Sequence, residues 1–145
     1  MAMLESPLSE AAQRIMRGLS RMFLELGHTS VAELTLANSR RADLVALSPE
    51  GLLTIVEVKS CLADFRADGK WEDYLEFCDR FYFAVDEAFP QQVLPKSTGL
   101  IVADAYGGAI LRESKDSTLA PARRKAITLR FAHHAALRLA GHLDP

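Results

Sequence analysis

Cysteine is scarce in this chain. Only two occur among 145 residues, Cys61 and Cys78. With no CxxC pair and no zinc-ligand spacing, they read as reduced, buried thiols rather than a disulfide or a metal site. Long apolar runs are missing too: nothing approaches the roughly 20 residues of a membrane-spanning helix. The opening "MAMLESPLSEAAQ" lacks the basic start and apolar core of a secretion signal. A cytoplasmic protein without a membrane partner is therefore the expectation. Excess charge of either sign is absent, with a net charge of −2. That removes a polycation signal but not a local basic groove. No Ser-His-Asp arrangement, Walker loop or dinucleotide fingerprint is visible, so no small-molecule cofactor is implied. Nor is there a repeat, a low-complexity tract or a linker.

What remains is an ordinary globular composition, 49% hydrophobic and 25% charged, long enough to bury a core. Residues 1–145 read as a single domain. The basic residues are mostly arginine; only Lys59, Lys70, Lys96, Lys115 and Lys125 are lysines. Residues 7–26 have helical spacing, with Ser6-Pro7 as N-cap and first position and Gly27 as the stop. Ile15, Leu19, Met22, Phe23 and Leu26 form the buried stripe, and Arg14, Arg17 and Arg21 line another face. Strands are expected at 31–37, 41–47, 52–59 and 80–85. A hairpin closed by "AYGG" joins 98–104 to 109–113. Residues 69–78 return to helical spacing, with Trp71, Tyr74, Leu75 and Cys78 on one side. A last helix covers 121–140 and closes at Gly141. The order α-β-β-β-α-β, with an added hairpin strand and a closing helix, predicts an α/β (α+β) fold with a mixed central sheet flanked by helices.

The loop "SPEGL" has proline where a type I turn wants it and Gly51 where a left-handed residue follows. That predicts a three-residue hairpin loop, Pro49-Glu50-Gly51. Ser48 then pairs with Leu52, Leu47 with Leu53, Val45 with Ile55, and Asp43 with Glu57. Opposed carboxylates about 5 Å apart repel by roughly 3 kcal/mol at an effective dielectric of 20. A hard divalent cation would relieve the repulsion. Lys59 projects from the same strand face as Glu57, where it could orient a water or neutralise a phosphate. The bland alternative is a surface ion network: Glu57 with Lys59, and Asp43 with Arg40 or Arg41. The tripeptide alone is weak, since "DGK" (68–70) and "ESK" (113–115) repeat it without an acid on a neighbouring strand.

Asp43, the hairpin and Glu57-Val58-Lys59 together resemble the core of the PD-(D/E)XK nuclease superfamily, as does the element order. More narrowly, "RADLVAL", "EVKS", "DGKW" and "CDRFYFAV" are similar to the MmcB-like family of bacterial DNA-repair proteins, over about residues 31 to 104. The resemblance implies a restriction-endonuclease-like fold. It also implies a Mg²⁺-dependent deoxyribonuclease in DNA repair, with Mn²⁺ able to substitute and DNA as the partner, nucleoid-associated when acting. Asp43 and Glu57 would hold the metal with the Val58 carbonyl, Lys59 would be the catalytic lysine, and Glu33 is a further carboxylate to consider. Ala42 stands where the name-giving motif has proline. Lys70 and Tyr74 occupy the places of a Gln-x-x-x-Tyr pair, so Lys70 is placed with the catalytic residues, and Arg40, Arg41, Lys70 and Tyr74 are the nucleic-acid-binding set. Cutting both strands takes two sites, which leaves a homodimer open. The rival reading is a catalytically silent, nuclease-like DNA-binding or adaptor module.

Weaker candidates are Asp64 and Asp68, near the metal or simply capping a helix. Arg123, Arg124 and Lys125 form a basic cluster at a helix start, either phosphate-facing or plain surface charge. His133 and His134 point about 100° apart on a helix and make no metal pair.

Overall fold

The computed structural model describes residues 8–145. Helix α1 (Glu10–Glu25) begins where the Ser9 hydroxyl accepts the Ala12 N–H at 3.1 Å. The expected Ser6-Pro7 cap lies outside the described residues, and Leu8 and Ser9 are not helical. The stop at Gly27 is as expected, with φ at +80°. Ile15, Leu19, Met22 and Phe23 are buried, but Leu26, past the helix end, is 53% exposed.

Six strands follow: β1 (Thr29–Thr35), β2 (Arg41–Leu47), β3 (Leu53–Val58), β4 (Arg80–Val85), β5 (Gly99–Ala103) and β6 (Gly108–Arg112). They lie side by side in chain order. β1–β2, β2–β3 and β5–β6 pair antiparallel, whereas β3–β4 and β4–β5 pair parallel. The mixed sheet is compatible with a restriction-endonuclease-like core. Helix α1 packs on one face, over Leu44, Ala46, Val56, Tyr82, Ala84 and Ile101. A Cβ at Gly18 would run into the carbonyl oxygens of Asp104 and Gly107, so glycine lets α1 lie directly on the turn between β5 and β6. Ile15 and Leu19, wholly buried there, contribute about 1.5–3 kcal/mol each.

The other face carries Val45, Ile55, Phe81, Phe83 and Val85, covered by the 71–77 segment and by α3 (Pro121–Leu143). Here the sequence reading needs correction. A short helix α2 (Leu62–Ala67) stands where none was expected, and Trp71–Phe77 is a 3₁₀ helix rather than an α-helix. Tyr74 and Phe77 are buried and Trp71 half-buried, a spacing of three that eclipses in a 3₁₀ turn. Leu75 faces outward, 40% exposed. Helix α3 runs past Gly141 to Leu143. Cys78 is buried, its thiol pushed up to about 12 by that burial. Cys61 is exposed instead, and both are free thiols.

Candidate metal and nucleic-acid site

The β2–β3 turn is the expected one. Gly51 has φ at +93°, its N–H donates to the Ser48 carbonyl at 3.0 Å, and Ser48 N–H donates to the Leu52 carbonyl at 3.0 Å. Leu47 faces Leu53 and Val45 faces Ile55. The ladder continues to Leu44–Val56, and the next level holds Asp43 and Glu57. There the side chains take over the ladder's role. Asp43 N–H donates to Glu57 Oε1 at 3.0 Å, and Val58 N–H donates to Asp43 Oδ2 at 2.8 Å. Each carboxylate thus accepts a backbone amide from the opposite strand.

Glu33 occupies the same level on β1, between the pairs Ala32–Leu44 and Leu34–Ala42. Its φ of +57° is left-handed, a conformation that costs a non-glycine residue about 1–3 kcal/mol. Leu34 and Ala42 join the same core cluster as Val31 and Val45, so side-chain alternation slips by one at this level. Glu33 and Asp43 come to line a cleft of about 310 Å³, shared with Ser9, with Ala12 and Met16 of α1 and with Val58 and Asp64. Asp64 itself accepts the Ser60 hydroxyl at 2.7 Å. Among the described residues no three His, Cys, Asp or Glu side chains converge closely enough to ligate one ion. Glu33 therefore does not complete a three-carboxylate cluster.

The electrostatics of the pair fit a cation. Glu57 is 4% exposed; burial, then the charge of Asp43, hold its carboxyl well above the ordinary range. Burial also raises Asp43, against the opposing effects of the Val58 N–H and the hydrogen bond with Glu57. Two acids that both resist ionising share a proton or take a positive ion in its place. Oxygen donors of this kind suit Mg²⁺.

Lys59 is 7% exposed and pairs with neither of these acids. Its Nζ lies 2.7 Å from Asp68 Oδ2, while Asp68 Oδ1 accepts the Lys70 N–H at 3.2 Å. Burial would raise the Asp68 carboxyl, but Lys59 outweighs it and holds the group below its usual value. Asp68 does not cap the start of a helix; it stands at the end of α2 and fixes the lysine. The "DGK" tripeptide belongs to the site after all.

Of the expected nucleic-acid contacts, Arg40 is committed to Asp73 at 3.0 Å, not to Asp43. Arg41 is exposed, and its carbonyl accepts the Tyr74 hydroxyl at 3.1 Å. Tyr74 is buried, 6% exposed, and that burial pushes its hydroxyl up. Lys70 is exposed and precedes the 3₁₀ helix. Lys70 caps that helix with a non-helical backbone, φ at −134°, and Tyr74 is buried where Lys70 is exposed, so the two do not present one contact face. Two of the three cations at the start of α3 are spent on the fold. Arg123 meets Glu76 at 3.3 Å and lies over the Phe77 ring, and Arg124 forks onto Asp79 at 2.7 and 2.6 Å.

With the carboxylate pair, the clamped lysine and the cleft in place, the comparisons with known proteins agree with the sequence. A family model described as "DNA repair protein MmcB-like" matches residues 1–145. The chain belongs to the MmcB-like DNA-repair family. Among solved structures, a protein of unknown function from Silicibacter pomeroyi is 45% identical, with 94% of each chain covered and a TM-score of 0.92. No curated protein matches. For this MmcB-like chain, membership implies a role in DNA repair, and among the described residues no helix is long and apolar enough to cross a membrane.

Proposed function

We propose that this MmcB-like protein is a Mg²⁺-dependent deoxyribonuclease, Mn²⁺ being an acceptable substitute. The observation that carries the reading is the opposed, charge-resisting pair Asp43 and Glu57 beside a lysine locked in place by Asp68. Asp43, Glu57 and the carbonyl of Val58 would hold the ion. When bound, it supplies Lewis acidity and positive charge to a phosphodiester. Lys59 orients the attacking water or donates to a non-bridging phosphate oxygen, and Asp68 holds the ammonium so that little is lost in ordering it. Lys70, exposed two residues past the Asp68 that holds Lys59, supplies a contact to the DNA backbone. Such contacts position DNA without reading its sequence.

The test is a panel of labelled DNA structures incubated with Mg²⁺ or Mn²⁺. Lys59→Ala and Asp43→Asn are expected to cut about a hundredfold more slowly, or less, than wild type. Unchanged metal-dependent cleavage by both variants would sink the nuclease reading.

One observation favours the rival, a catalytically silent DNA-binding module. Asp43 and Glu57 each serve a backbone amide and Lys59 serves Asp68, so all three have a use in the fold alone. Calorimetric titration separates the two. A proton held by the pair and displaced by the ion would make the heat of Mg²⁺ binding depend on the buffer; no binding in any buffer favours the binding module.

A further inference from the structure

A second cleft, of about 220 Å³, lies on the face of the sheet away from α1. Its wall is apolar: Trp71 and Phe81, stacked at 5.7 Å, with Leu75 and Cys78. Leu75, left exposed by the 3₁₀ helix, completes this wall. The rest of the lining is polar. Ser97, Lys115 and Ser117 are exposed there, and their side chains make no hydrogen bond or ion pair among the described residues. An apolar wall with a few unpaired polar groups is the make-up of a ligand site. The volume falls below the roughly 300–1,000 Å³ that takes a whole drug-sized ligand, so one ring system fits and whatever it is attached to stays outside.

Charge says what the ring is attached to. Lys115 lines the cleft, Lys96 adjoins Ser97 and Lys70 adjoins Trp71, and all three are exposed with no ion pair among the described residues. The neighbouring acids are mostly taken: Asp79 by Arg124, Asp116 by Arg80, Glu76 by Arg123 and Glu113 by the Tyr82 hydroxyl. Glu72 alone stands without a partner against the three lysines. A ring system on an anionic chain is a nucleobase on its sugar–phosphate strand. We infer that this cleft receives one unstacked base of a DNA strand, with the strand's phosphates outside it against these lysines. Aromatic walls take any base, because every base has a π-face. Position agrees: Asp68, which holds Lys59, precedes Trp71 by three residues, at most about 11 Å of chain. A strand passing Lys59 therefore reaches the cleft within a few nucleotides. Single-stranded or distorted DNA becomes the preferred substrate, since a paired base must first leave its stack. The inference rests on DNA as the partner and not on cleavage.

Trp71 is the single tryptophan of the chain, so its emission reports on this cleft directly. The full chain is titrated in EDTA, where no metal-dependent cleavage occurs, with a short labelled single strand, the same strand built of abasic sites, and thymidine monophosphate. Anisotropy of the label reads strand binding while Trp71 emission reads the cleft. The ordinary strand is expected to quench Trp71; the abasic strand should leave the emission unchanged and bind about tenfold more weakly or worse. Leu75→Asp should remove the quenching with unchanged circular dichroism. If that variant loses its folded signal, Ser97→Tyr obstructs the cleft from an exposed position instead. Strand binding without any change in Trp71 emission, or equal affinity for the abasic strand, overturns the inference and leaves DNA as the partner. No binding of any strand overturns both. Monophosphate binding as tight as that of the strand assigns the cleft to a free nucleotide and overturns its place on the DNA path.

Discussion

An ammonium out of water needs an anion within reach, and for Lys59 that anion is Asp68. The pair spans nine residues and depends on α2 to bring the chain back. Removing one partner leaves the other buried and unpaired, which costs more than the pair is worth. Asp68→Ala is accordingly expected to lose about 2–4 kcal/mol in urea unfolding, and Asp68→Asn less, since the amide still accepts a hydrogen bond. Equal stability of Asp68→Ala and wild type would show that the ammonium does not depend on Asp68. Nothing in the sequence announced this pair, because the 61–70 stretch has no apolar period from which to place it. Asp43 against Glu57 was legible, because a loop of three residues sets register by local geometry alone.

At the level of elements, turn chemistry explains what could be read. Strands β2 and β4 fall on the expected residues, and the hairpin register follows from Gly51. Substituting Gly51 with alanine meets no neighbouring atom, so its cost is the left-handed backbone, about 1 kcal/mol. Thermal unfolding should show that loss while Mg²⁺ affinity stays the same; a fall in affinity would mean the register had slipped. The 71–77 segment was misread for a physical reason. Trp71 and Tyr74 meet the rings of Phe81 and Phe83 while Phe77 joins the same buried cluster, and a three-residue period serves that better than 3.6. Tertiary packing overrode local preference. Glu33 could be named from the resemblance but not placed by alternation, because its left-handed backbone breaks the period on which strand reading depends.

Across the whole molecule, Asp79 holds distant parts together. Its carboxylate accepts the Leu53 N–H at 2.8 Å and both arms of Arg124, while Arg124 also reaches the Gly51 carbonyl at 2.8 Å. Its carbonyl accepts the Ser117 N–H at 2.8 Å. The hairpin turn, the start of β4, the loop before α3 and the first turns of α3 thus meet at one side chain. Burial alone would raise the Asp79 carboxyl, but Arg124 and the Leu53 N–H outweigh it and hold it below the ordinary range. A depressed folded-state value contributes stability above the unfolded value and loses it as pH falls through the folded one. Asp79→Asn should therefore cost about 2–4 kcal/mol at neutral pH, and the gap to wild type should narrow below about pH 4. Unfolding curves across that range would check the slope, and a constant gap would contradict it. The sequence showed only a basic cluster at a helix start, since its acidic partner lies 45 positions away.

The two amides bonded to Glu57 and Asp43 couple backbone resonances to the state of the carboxylates. In a ¹⁵N spectrum, the Asp43 and Val58 N–H signals would move first when an ion or a proton changes hands between the strands. Titrating Mg²⁺ should shift these two peaks while those of Leu47 and Leu53, at the turn end of the same hairpin, stay where they are. A shift spread evenly over the hairpin would instead report a change in the turn.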